Sequence, residues 1–254
     1  MPIPYPMLFW PIMLGLLGTI IGSFVAALVV RWPDGRSVTR GRSVCDSCGR
    51  ALNVVDLVPL FSAMMLRGKC RRCQASINPI HWRIEGAAAI IGVAAGLVAP
   101  GILGIAGAVF GWLLLTLGAL DLVAFWLPDR LTIPLALTGL FSGAAGVPPA
   151  LSDRAIGGVA GFGALWTVAF AYRQMRGREG MGAGDPKLFG AIGLWLGWQL
   201  LPAALLVASM TGLCVVLVGK LRGETIAGDM PLPFGTLLAV AAYPAWLVMI
   251  GLRP

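Results

Sequence analysis

Charge is what this chain has least of. Only 12% of its 254 residues are charged, about half the share of an ordinary soluble domain. The helices of a soluble protein would need a charged outer face, and no such face is present, so the shortage excludes that class. With 58% hydrophobic residues and a mean hydropathy of +0.86, the composition instead fits a multi-pass membrane protein. Its apolar runs approach the roughly 20 residues that span a bilayer. No basic stretch precedes the first run, 7–30, which is therefore expected to be a retained helix rather than a cleaved signal. The net charge of +8 could suggest nucleic acid. Its placement in loops argues instead for a role in setting membrane orientation, and no nucleic-acid partner is expected.

About eight transmembrane helices are expected, near 7–30, 84–100, 101–125, 131–149, 155–172, 186–200, 201–219 and 233–251. The fold class is thus an all-α membrane protein. Its domains read as a first transmembrane helix (1–30), a loop domain (31–83) and a polytopic part (84–254). Positive charge recurs in 31–83, at Arg130, at Arg173, Arg176, Arg178 and Lys187, and at Lys220 and Arg222. The intervening loops hold only Arg154, with Arg253 at the end of the chain. Positive-inside bias places 31–83, the 126–130 turn, the 173–187 loop and the 220–232 loop in the cytoplasm, with both termini outside.

Cysteine is scarce too, with five in all, yet four of them form a pattern. Cys45-Asp-Ser-Cys48 and Cys70-Arg-Arg-Cys73 are two C-x-x-C pairs with 21 residues between them. That spacing predicts a zinc-ribbon-like loop in which Cys45, Cys48, Cys70 and Cys73 hold a structural zinc with no open coordination position. Disulfides are disfavoured in a loop assigned to the reducing cytoplasm. A redox role would need one pair rather than two. Cys214 reads as a buried small hydrophobe, and His81, the sole histidine, as a loop or interface residue. The basic residues of the loop can neutralise the four thiolates or face anionic lipid headgroups.

Two aspartates adjoin apolar runs, where an ionisable group costs roughly 2.5–3.5 kcal/mol at the bilayer centre and less at its rim. Asp121 closes Phe110-Gly-Trp-Leu-Leu-Leu-Thr-Leu-Gly-Ala-Leu-Asp121, and Asp185 lies in Gly180-Met-Gly-Ala-Gly-Asp185-Pro-Lys187. The expected topology puts both at the cytoplasmic rim. Two carboxylates that share a proton are the minimum equipment of an aspartyl protease: one takes a proton from water and the other polarises the scissile carbonyl. Gly182 and Gly184 would let the backbone approach an extended substrate closely. Each aspartate also has a structural reading. Asp185 can cap a helix ahead of Pro186, Asp121 can pair with Arg130, and Asp129 reads as a turn and capping residue.

These segments together resemble the bacterial type IV prepilin leader peptidases, aspartyl proteases of the inner membrane. The resemblance spans nearly the whole chain. It rests on Gly22-Ser-Phe24 with Arg31-Trp-Pro33, on the two cysteine pairs flanking Asp56-Leu-Val-Pro59-Leu, on Leu66-Arg-Gly-Lys-Cys70 and on Glu85. Leu120-Asp121, Leu127-Pro-Asp129-Arg-Leu-Thr and the glycine-rich segment ending at Asp185-Pro-Lys187 complete it. The likeness implies that Asp121 and Asp185 are the catalytic pair. It also implies cleavage of the basic leader from prepilins or pseudopilins after a glycine, on the cytoplasmic side, by a protein embedded in membrane lipid. Many members also N-methylate the new N-terminus with S-adenosylmethionine, and the 31–83 loop is associated with that step. Val123 and Ala124 depart from the acidic residue and histidine common at those places, and Asp46 replaces a frequent proline. None of these removes a catalytic residue or metal ligand. A non-catalytic zinc-ribbon scaffold of a pilus or secretion machine would explain the cysteines but leave the aspartates merely structural. A proton-relay transporter would leave the zinc loop unexplained.

Overall fold

The computed structural model describes residues 5–38, 43–45, 47–223 and 232–252. Asp46, Arg253 and residues 224–231 of the 220–232 loop lie outside them. The regular elements among the described residues are helices: α1 (Tyr5–Arg31), α2 (Phe61–Met65), α3 (Ile80–Val98), α4 (Ile102–Ala124), α5 (Asp129–Ala144), α6 (Leu151–Arg176), α7 (Gly184–Leu221) and α8 (Phe234–Gly251), with a 3-10 turn at Val54–Leu57. Among the described residues there is no strand, only the isolated bridges Val44–Ala51 and Lys69–Ser76.

Six helices, rather than eight, are long and apolar enough to cross a membrane: α1, α3, α4, α6, α7 and α8. The expected span 131–149 is the shorter α5, with 16 residues. At 1.5 Å per residue that is about 24 Å, less than a hydrocarbon core of about 30 Å. The chain leaves the helix at Ala145 and turns at Gly146, whose φ is +80°.

The expected spans 186–200 and 201–219 both fall within α7. Its helical geometry breaks at Gly197, at φ 72°, ψ 174°, a conformation that an L side chain would strain. The expected bounds put the break between residues 200 and 201; the reversal comes earlier because glycine permits it. Gly161 of α6 shows how sharp the turn is. A Cβ built there would lie 3.0 Å from the Phe189 carbonyl oxygen and 3.2 Å from Leu201 Cδ1. A straight helix would set residues 189 and 201 about 18 Å apart. The two arms of α7 therefore fold back on each other at Gly197.

The chain divides into two compact units, Met1–Trp112 and Leu113–Pro254, with α4 running through the boundary. In the first, α1 and α3 meet through small residues. A Cβ on Gly92 would lie only 2.1 Å from the Leu14 carbonyl oxygen, and one on Gly18 2.3 Å from that of Ala88. Such backbone contact replaces the hydrophobic drive that lipid removes. In the second unit α6 meets α7 in the same way, at Gly157 and Gly193.

Arg154 was expected as a loop charge. It is instead a residue of the first turn of α6 with no exposed surface. Its guanidinium donates to the carbonyls of Gly139, Val147, Pro148, Pro149 and Leu194 at 2.7–3.0 Å. The Gly197 break explains one of these acceptors, because the Leu194 carbonyl would otherwise bond the N–H four residues on. Arg154 thus ties the end of α5, the following loop and the α7 reversal together. Replacing it with Met should lower stability by about 3–5 kcal/mol, since five acceptors lose their donors at once. Lys, with three donors, should recover only part of the loss. Thermal unfolding of the purified protein in detergent, followed by circular dichroism, measures both.

Candidate active site and metal centre

Asp121 lies in the last turn of α4 and is 5% exposed. A carboxylate at a helix C-terminus faces the unfavourable end of the dipole, and the start of α8 compensates. The backbone N–H of Thr236 donates to Asp121 Oδ2 at 2.8 Å, and the Gly235 N–H also faces the group. These are first-turn donors with no partner inside their own helix. Thr236 Oγ1 lies 2.8 Å from the Gly118 carbonyl and 3.2 Å from Asp121 Oδ2, joining α4 to α8 a second way.

Asp185, 6% exposed, is the second residue of α7 rather than the residue preceding it. Its Oδ2 accepts from the Gly182 N–H at 3.2 Å, while its own N–H returns to the Gly182 carbonyl at 3.2 Å. Gly182 therefore meets Asp185 directly. Gly184 opens α7 against Leu127, to whose Cβ an added methyl would come within 2.7 Å. A Cβ on Gly235 would lie 2.8 Å from Leu127 Cδ1 and 3.0 Å from Asp121 Oδ2. Leu127 is thus wedged between the starts of α7 and α8, and holds the two carboxylates in one neighbourhood. They lie near enough for their charges to interact. Among the described residues nothing hydrogen-bonds to Oδ1 of either one.

Two further contacts fix this corner. Phe125, just beyond α4, has φ +49° and donates its N–H to the Asp121 carbonyl at 2.9 Å. A side chain held there costs roughly 1–2 kcal/mol, and strain of this kind gathers at working sites. Asp129, the first residue of α5, receives Lys187 Nζ on both oxygens at 2.8 and 2.9 Å. It therefore does more than cap a helix, since it clamps the start of α5 to the first turn of α7. The ion pair is half-exposed, so its role is placement more than stability. Asp121 pairs with the start of α8, and no ion pair joins it to Arg130 among the described residues.

In the first unit the Sγ atoms of Cys45, Cys48, Cys70 and Cys73 all lie within 4.8 Å of one another. Each C-x-x-C pair forms a knuckle of the same construction. Cys45 N–H bonds Arg50 O and Gly49 N–H bonds Cys45 O; Cys70 N–H bonds Ala75 O and Gln74 N–H bonds Cys70 O. The residue after each second cysteine, Gly49 or Gln74, has positive φ. Asp56, between the knuckles, joins them through Arg50 at 3.1 Å and Arg71 at 3.3 Å.

The donor set fits a metal. Metal–sulfur bonds of about 2.3 Å in a tetrahedron set sulfurs about 3.8 Å apart; Cys45 and Cys73 are 3.9 Å apart, far beyond a disulfide bond. Backbone N–H groups of Cys73 and Arg72 hold the Cys70 thiol down to about 6. The Ala75 N–H lowers Cys73, but desolvation and the sulfurs of Cys70, Cys48 and Cys45 outweigh it and push Cys73 up to about 11. Four thiolates this close need a cation among them, and the cluster can hold one metal ion. Cys214, outside this cluster, is exposed on α7 rather than buried.

Sequence reasoning did not single out Thr236, and named Leu127 only as the start of the Leu127-Pro-Asp129 segment. α8 opens with Phe234-Gly-Thr236 directly after Pro233, a recognisable helix opening. Its relation to Asp121, 115 residues away, is set by the fold alone.

Two family models match the chain in tandem. The Bacterial Peptidase A24 N-terminal domain matches residues 16–98, and the Type IV leader peptidase family matches residues 108–217. The prepilin leader peptidase/N-methyltransferase of Aeromonas hydrophila is 39% identical over 207 residues, covering 81% of this chain and 71% of that protein. The protein of the same name from Pectobacterium carotovorum subsp. carotovorum is 36% identical over 255 residues, 91% of each chain. That from Klebsiella pneumoniae is 37% identical over 212 residues, 81% of this chain and 92% of its own. No solved structure matches. By two domain matches in tandem, and by relatives similar along most of their length, this chain belongs to the type IV leader peptidase family.

Proposed function

We propose that the chain is an aspartyl endopeptidase of the inner membrane that removes the basic leader from type IV prepilins or type II secretion pseudopilins after a glycine, and then N-methylates the new N-terminal residue. The observation that carries the peptidase reading is the neighbourhood of Asp121 and Asp185, each anchored through Oδ2 and each with Oδ1 left for reactants. Water between them loses a proton to the ionised carboxylate as its oxygen bonds the scissile carbonyl carbon. The other carboxylic acid gives its proton to the carbonyl oxygen. When the C–N bond breaks, the departing amine takes the proton that the first carboxylate removed from water, a hydroxyl of the tetrahedral intermediate returns a proton to the second, and the pair regains its starting state. Gly182 and Gly184 keep the backbone beside the pair slim enough for an extended substrate neck.

Positive-inside bias supports an orientation with the metal loop and the aspartates toward the cytoplasm, and apolar helix faces meeting lipid. In this reading residues 1–30 form the first transmembrane helix, 31–83 the loop associated with methylation and 84–254 the peptidase part. Zinc suits the four-cysteine centre, closed and structural, because thiolates favour it and leave no position for substrate. S-adenosylmethionine would supply an electrophilic methyl group, which the amine lone pair takes while the S–C electrons stay on sulfur. A non-catalytic scaffold would give no reason for two buried carboxylates to share a corner of the fold.

Asp121→Asn and Asp185→Asn should each abolish leader removal from a prepilin co-expressed in membranes, with the protein still folded; cleavage surviving in either rejects the pair. Thr236→Val should slow cleavage about tenfold by removing the hydroxyl that the Gly118 carbonyl and Asp121 share, and Thr236→Ser should restore most of it in the same gel assay. Elemental analysis of the purified chain should find one zinc. Cys70→Ser should lose it and expose the 43–78 region to limited proteolysis.

A further inference from the structure

The first unit contains a cavity of about 200 Å³ bounded by the end of α1, the metal loop and the start of α3, far larger than an ion or a single water requires. The peptidase chemistry makes no use of it. One of its lining residues is Glu85, on α3 and 7% exposed. Its Oε2 accepts the backbone N–H of Leu60 at 2.8 Å, which holds the loop where Leu60 adopts φ +59°. Among the described residues that is its one hydrogen bond, and no cation pairs with it. A carboxylate so buried is costly without a positive partner.

The other charges of the cavity sort differently. Arg50 and Arg71 are held by Asp56. Arg31 and Lys69 line the cavity and have no acidic partner among the described residues. Trp82 and Ile77 supply aromatic and apolar wall. The cavity thus offers one buried anion, two unclaimed cations and a surface for a flat ring. A ligand that matches carries a cation, a carboxylate and a heterocycle in one small molecule.

We infer that this cavity is the methyl-donor site, with the Glu85 carboxylate opposite the sulfonium of S-adenosylmethionine, Arg31 and Lys69 toward its carboxylate and Trp82 toward its adenine. This rests on the methylation reading above. Glu85 serves as a binding residue that also anchors the loop. It separates the methyl donor from its product, since transfer of the methyl group converts the sulfonium to a neutral thioether and leaves the carboxylate unpaired. Release of S-adenosylhomocysteine is thereby built into the site.

Glu85→Gln isolates the charge, because the amide oxygen can still accept the Leu60 N–H. Calorimetric titration of the full-length protein in detergent with S-adenosylmethionine and S-adenosylhomocysteine reads the effect directly. The wild type should bind the sulfonium form more tightly than the thioether. Glu85→Gln should weaken the sulfonium form about tenfold, the size expected for a charge-assisted contact, and the thioether less than twofold. Leader cleavage should stay at the wild-type rate and serves as the check on folding. If the variant fails that check, the wild-type preference alone decides, and tighter thioether binding overturns the assignment. Equal weakening of both ligands also overturns it, by showing that the sulfonium does not meet Glu85. If co-expressed prepilin is methylated by mass analysis yet the ligands fall equally, the assignment fails while the methylation reading stands. If the wild type neither methylates nor binds either ligand, both fail together.

Discussion

A carboxylate buried at the edge of an apolar bundle is tolerable only where hydrogen-bond donors meet it. In this fold the donors come from backbone at or just before the starts of helices. The first-turn N–H groups of α8 have no partners within their own helix and turn to Asp121. The segment leading into α7 supplies the Gly182 N–H to Asp185. Because such donors are available only where helices begin, both acidic groups are drawn to the same kind of place, and Leu127 packs between the two starts. The rest of the second unit can be understood as the framework that brings these ends together.

That framework depends on backbone freedom at a few positions. Gly197 lets α7 turn back on itself, and the carbonyl released at Leu194 is taken up by Arg154. The same guanidinium gathers the carbonyls after α5, so one buried cation fixes the reversal, the end of α5 and the beginning of α6. At the opposite end of α5, Asp129 and Lys187 join its first turn to that of α7. The arm carrying Asp185 is therefore held at both of its ends. The peptidase reaction proposed for the pair would need such rigidity, since small misplacement of two carboxylates removes their ability to share water.

The first unit solves a different problem with similar economy of parts. Its loop is too small to fold on apolar burial alone, and two matching knuckles bring four sulfurs within metal-binding distance. Asp56 braces one knuckle against the other, while Glu85 holds the loop to α3. Cys45, Cys70, Asp56 and Glu85 all line one cavity.

The sequence by itself determined the all-helical membrane class, the metal-binding spacing of the cysteines and the two aspartates most in need of a reason. Scarce charge, apolar run length and paired C-x-x-C are local signals, and local signals suffice for those conclusions. The eight expected spans correspond to α1, α3, α4, α5, α6, the two arms of α7 and α8; fewer uninterrupted helices are long enough to cross because α5 ends short and α7 doubles back at Gly197, which hydropathy does not register. Arg154 read as a loop charge because composition does not register carbonyls freed elsewhere. Only the tertiary structure decided that Thr236 anchors Asp121, that Leu127 separates two helix starts, and that Glu85 lies buried beside a cavity with no cation paired to it among the described residues. Each of these depends on groups far apart in the chain, and their meeting is a property of packing rather than of any segment.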